Sequence, residues 1–139
     1  MREILFKAKR VDNGEWVEGW LFKTQEHSYI AYDRQFDDDL FLSPQNIFIE
    51  VDTNTICQYT GLTDKNGTKI FEGDVIRGLF LHSRPINSVV SFQDGAFGLL
   101  WNRAGVEIFW AFTSICNVEY EVIGNIHDNP ELLKGGEEE

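Results

Sequence analysis

Positive charge is what this 139-residue chain has least of: 12 Lys and Arg stand against 23 Asp and Glu, a formal net charge of −11 at pH 7. Gripping nucleic acid by its phosphates requires Lys and Arg to displace counterions, so this balance excludes phosphate-driven nucleic-acid binding as the expected function. Long apolar runs are missing as well. No stretch approaches the ~18 apolar residues of a membrane helix. The opening Met1–Gly14 lacks the apolar core and small-residue cleavage site of a signal peptide. The expectation is a cytoplasmic protein with no membrane contact. Cysteine is nearly absent: Cys57 and Cys116 lie far apart and form no CxxC pair. That spacing supports no metal or redox motif and fits buried, reduced thiols that pack as small hydrophobes. It leaves their separation in space open.

Sustained helical periodicity is also missing. What the chain has instead is aromatic residues (11 Phe, 4 Trp and 4 Tyr) and turn punctuation. A disordered acidic chain would lack such aromatics, so this one is expected to fold. Asn13-Gly14 separates the apolar residues around Ile4–Phe6 from Trp16-Val17 and Trp20-Leu21-Phe22, which predicts a hairpin. Tyr29–Tyr32 and Ile47–Val51 are rich in β-branched and aromatic residues and read as strands. Between them lies the charged segment Asp33–Leu40, where one helical turn or a surface loop both fit.

The second half is more regular. Asp64-Lys65-Asn66-Gly67 predicts a type I turn closed by a left-handed glycine, and Asn102-Arg103-Ala104-Gly105 repeats the pattern. Asp94-Gly95 predicts a two-residue turn. Val89–Phe92, Ala96–Trp101 and Val106–Phe112 then form a three-strand meander. Val118–Val122 alternates apolar and acidic residues, as a half-buried strand does. A single short helix is expected after Asn129-Pro130, ended by Gly135-Gly136.

The fold class is therefore mainly β, or β-rich α+β at most. The expected organisation is an N-terminal β subdomain of hairpins over residues 1–55 and a C-terminal SH3-like or similar small open barrel over 56–133. A disordered acidic tail is expected over 134–139. Residues 131–139 hold four Glu and one Lys, so about −8 of the charge belongs to the rest of the chain.

Three stretches of the chain carry a resemblance. They are Arg2–Ala8, the run Gln58-Tyr59-Thr60-Gly61-Leu62-Thr63-Asp64-Lys65-Asn66-Gly67 continued through Ile70-Phe71-Glu72-Gly73-Asp74-Val75-Ile76, and Tyr120–Leu133 with its Gly124-Asn125-Ile126 and Asn129-Pro130-Glu131-Leu132-Leu133. In their order they resemble the YopX family of phage and prophage proteins, over residues 2 to 133. Lys9 departs from the pattern, standing where many members have an aromatic. The resemblance implies an origin in phage or prophage of Gram-positive bacteria, a β-rich fold and self-association. It carries no catalytic residues. Turn geometry by itself accounts for the glycines of the central run, because no helix follows to make them a phosphate loop.

The sequence carries no recognisable catalytic constellation, metal set or cofactor site. His27, His82 and His127 are isolated, and the neighbours His127 and Asp128 point apart. No GxSxG or similar nucleophile setting occurs. Asp33, Asp37, Asp38 and Asp39 form the densest acidic patch, but without the 1-3-5 spacing and central glycine of a calcium loop. Asp64, Glu72 and Asp74 are the other candidate carboxylates for a metal-dependent hydrolase, and a hairpin explains them. The surplus aromatics are the stronger signal. Trp101, Phe109, Trp110 and Phe112 lie on strands whose alternate residues face opposite sides, so a ring of this group is expected outside, as a surface for protein binding. The expected function is that of a non-enzymatic phage or prophage accessory protein that self-associates or binds a host or phage protein. The alternatives are an acidic mimic of DNA charge that inhibits a host DNA-binding protein, and last a metal-dependent hydrolase.

Overall fold

A computed structural model describes residues 3–33, 46–78, 86–112 and 119–134. The chain forms two compact units, residues 1–59 and 60–139. The one α-helix among the described residues is four residues long, so the mainly β expectation holds.

The first unit is built from β1 (Phe6–Lys9), β2 (Trp16–Lys23), β3 (Ser28–Asp33), β4 (Asn46–Val51) and the start of β5 (Cys57–Thr63). Its strand order is β4-β3-β2-β1-β5. The turn between β1 and β2 contains Gly14 at φ +75°, in the left-handed region that the Asn-Gly signal predicts. The sheet also curls back on itself. Just past β1, Arg10 bridges Val51 of β4, the Val11 N–H donates to the Glu50 carbonyl at 3.1 Å, and the Asp52 N–H donates to the Lys9 carbonyl at 2.8 Å. Inside the curl lie Ala8, Ile30 and Val51, with Phe6, Val17, Leu21 and Ile56 packed on them. Period-two alternation sends these residues inward and their strand neighbours outward. Cys57 is buried, and its thiol donates to the Thr55 carbonyl.

The second unit starts with the hairpin of β5 and β6 (Lys69–Phe71) around Asp64–Gly67, with Gly67 at φ +82°. A five-stranded sheet follows, made of β7 (Asp74–Gly78), β8 (Ile86–Gln93), β9 (Ala96–Arg103), β10 (Val106–Ala111) and β11 (Tyr120–Asn125). Its order is β10-β9-β8-β7-β11: a four-strand meander, with the last strand returned beside the first. Among the described residues, the strands of the two units pair antiparallel: β1 with β2 and β5, β2 with β3, β3 with β4, β7 with β8 and β11, and β9 with β8 and β10. Ile70, Ile76, Val90, Leu99 and Trp101 form the core. Each such side chain contributes about 1.5–3 kcal/mol by leaving water. Helix α1 (Glu131–Lys134) follows Asn129-Pro130 as expected, and its Leu132 carbonyl accepts from the Asn87 side chain. The Asn129 side chain takes its hydrogen bond from the Asn125 N–H.

One turn differs from expectation. Arg103 pairs with Val106, and both residues between them have positive φ, Ala104 at 54° and Gly105 at 85°. This is a two-residue primed turn. It matches strand twist better than the longer type I loop that the sequence pattern suggested. Asp94 and Gly95 form another. Cys116, residues 113–118, which link β10 to β11, and residues 135–139 of the expected tail lie outside the described residues.

Candidate functional site

The carboxylates of the central run serve the backbone. Asp64 is nearly buried, and its Oδ1 accepts from the N–H groups of Asn66 (2.8 Å) and Thr68 (2.9 Å). Its Oδ2 accepts from the Val122 N–H at 2.9 Å. Burial works against its ionisation, but these backbone donors outweigh that effect and hold its pKa below the usual carboxylate value. Burial and the Asp64 charge together push the Tyr120 phenol up. Buried Asp74 accepts from the Phe71 N–H at 2.8 Å, across the turn at Gly73. Among the described residues, no group of three His, Cys, Asp or Glu side chains is placed to hold a metal ion. His27 pairs with Glu50 at 2.7 Å on the surface, and the His127 backbone belongs to a turn closed by Asn125. Asp33 ends β3 opposite Asn46, while Asp37, Asp38, Asp39 and His82 lie outside the described residues.

The rings of the expected binding surface are placed differently. Trp101 is buried in the second core and meets Trp110 edge-on, with ring centroids 5.7 Å apart. Trp110 and Phe112 pack on the same core, and Phe112 also contacts Tyr120. Phe109 lies half-buried opposite Leu100. This group is therefore chiefly interior, and Trp101 wholly so. Trp101 and Trp110 lie on the one face of the β9–β10 pair that joins the core of Ile70 and Ile76, so alternation alone does not expose either ring.

The exposed aromatic face lies in the first unit. On β2, the residues at even positions (Trp16, Glu18, Trp20 and Phe22) turn away from the core that Val17 and Leu21 enter. Register brings Phe22 beside Tyr29 and Tyr29 beside Glu50. In the next row Trp20 stands beside Ala31 and Ala31 beside Phe48. Trp20 is 56% exposed, Phe22 51% and Phe48 56%. The Phe22 ring meets Phe48 at 5.7 Å and Tyr29 at 6.2 Å, and His27 flanks Tyr29 at 6.3 Å. Toward β1 the same face carries Trp16, covered by the ammonium groups of Lys7 (4.8 Å) and Lys9 (5.5 Å). The signal for this face was the spacing of Trp16, Trp20 and Phe22. It was masked by Val17 and Leu21, which make the opposite face apolar too.

No helix among the described residues is long and apolar enough to cross a membrane. No curated protein sequence matches the chain. Its structure is similar to the crystal structure of protein EF1440 from Enterococcus faecalis, with a TM-score of 0.56 and 25% sequence identity over 96% of this chain and 99% of that one. The family model described as YopX protein matches residues 5–134, nearly the whole length. The chain belongs to the YopX protein family.

Proposed function

We propose that this chain is a non-enzymatic phage or prophage accessory protein of the bacterial cytoplasm, which works by binding another protein or a second copy of itself. The observation that carries this reading is the exposed aromatic face of Trp20, Phe22, Tyr29 and Phe48. Three large rings, each more than half exposed and set side by side on a sheet, are costly to leave in water. Contiguous apolar surface of this kind marks binding sites, and aromatic residues are enriched in them. The carboxylates near the turn glycines are held by backbone N–H groups, so the most regular motif of the chain supports structure and not hydrolysis.

The test is a photo-crosslinking amino acid placed at Phe22 in the producing bacterium, with the exposed Leu62 position as the control. Adducts from position 22 and none from position 62 are expected. A chain that stays monomeric by light scattering and yields no adduct from position 22 overturns the reading.

A further inference from the structure

We infer that the aromatic face takes the arginine and lysine side chains of a basic segment of a partner protein, cation over ring. The inference rests on the proposed use of this face in protein binding and names the chemistry of what binds there.

The face already shows this mode of contact. Lys7 and Lys9 of β1 both place their ammonium groups over the Trp16 ring, within the range of cation–π attraction. On the same face, Trp20 and Phe22, four and six residues further along β2, and Phe48 on β4 are more open. Among the described residues none of these three carries a cation.

Each row of rings also has a carboxylate at hand. Glu18 precedes Trp20 by two residues on β2, so both point outward from the same strand. Glu50 follows Phe48 by two on β4 and stands opposite Tyr29. A guanidinium needs both features: a π face for its plane and a carboxylate for its N–H fork. An apolar partner would find the rings but would desolvate Glu18 and the His27–Glu50 pair, which is unfavourable.

Long-range charge points the same way. Residues 1–59 hold six basic and eleven acidic residues, a net −5, within a chain of net −11. A basic segment is drawn to such a surface, whereas a nucleic acid or a second acidic copy is repelled.

The experiment titrates the full-length chain with octa-arginine and, separately, with octa-citrulline, its neutral isostere, following backbone and indole N–H signals by NMR. Octa-arginine is expected to shift Trp20 and residues of β2, β3 and β4 first, and octa-citrulline to have little effect. Trp20→Leu with Phe48→Leu leaves the net charge unchanged and is expected to weaken octa-arginine binding about tenfold. Glu50→Gln is expected to weaken it less and to flatten its salt dependence.

Three results overturn the inference: shifts spread evenly over the acidic surface, equal affinity in the ring variant with its fold intact by NMR, or equal binding of the two peptides. A dimer in light scattering that dissociates in the ring variant, which places a second copy on this face, does so as well. If octa-arginine fails while position 22 still crosslinks to a protein, this inference falls and the use of the face in protein binding stands.

Discussion

The Asp64 carboxylate accepts a hydrogen bond from the backbone N–H of Val122 at 2.9 Å, across 58 residues of sequence. The adjacent Lys65 N–H donates to the Tyr120 carbonyl at 3.2 Å. Strand β11 is an edge of the five-stranded sheet, and these two bonds occupy its outer side. So the turn that closes the β5–β6 hairpin also fastens the last strand of the same unit.

Asp64→Ala is expected to lower the stability of the protein by about 3 kcal/mol, because three backbone N–H groups lose a charged acceptor. Urea unfolding followed by tryptophan fluorescence measures this. The folded-state pKa of Asp64 lies below its ordinary value. Its stabilisation is therefore present above the unfolded-state pKa of about 3.9 and is lost as pH falls through the lower folded-state pKa. The gap between wild type and variant should be constant from pH 6 upward and close in acid. A gap that widens in acid would contradict the assignment.

Ser88 is fully buried opposite Ile76, and its hydroxyl has no hydrogen-bond partner among the described residues. Ser88→Ala removes a desolvated polar group and is expected to be neutral or stabilising by up to about 1 kcal/mol. Differential scanning calorimetry decides it, and a loss of 2 kcal/mol or more would reveal a partner for the hydroxyl.

Ala104 sits at φ 54° in the primed turn of β9 and β10. A left-handed conformation costs an L-residue about 1–2 kcal/mol, and glycine avoids this at some cost in chain entropy. Ala104→Gly is expected to raise stability by about 0.5–1 kcal/mol, and Gly105→Ala to lower it. The melting temperatures of the pair should move in opposite directions.

Gly19 is required by close approach, since a Cβ there would lie 2.2 Å from the Ala31 carbonyl oxygen. Gly19→Ala forces the backbones of β2 and β3 apart and is expected to cost at least about 2 kcal/mol. The chemical shifts of Trp20 and Ala31 should change most, because they are register partners beside it.

The strands were legible because their signals are local. Turn glycines such as Gly14 and Gly67 need only their own backbone geometry, and both stand where Asn-Gly places them. The helix after Asn129-Pro130 was readable for the same reason. The aromatic face was not, because which side of β2 meets a core depends on strands far away in sequence. Trp20 and Leu21 are both apolar, and it is the cluster of Ala8, Ile30 and Val51 that takes Leu21 inward. Trp101 and Trp110 looked like surface candidates because residues on either side of them are apolar too. Their burial follows from Ile70 and Ile76, more than twenty residues earlier in the chain. The turn at Ala104 shows a further limit, since an alanine carries no left-handed signal and strand pairing imposes the conformation.

The closure of Arg10 and Val11 onto Val51 and Glu50 has a consequence for how molecules of this protein can meet. An open strand edge is a template on which another chain can add a strand, and such growth does not stop at a pair. Here the first and last strands of the curl satisfy each other at the Glu50–Val51 end. Strand addition there would first have to break those bonds. Contact through this part of the molecule is thereby directed to side chains, which choose partners by shape and charge, and away from the backbone, which does not discriminate.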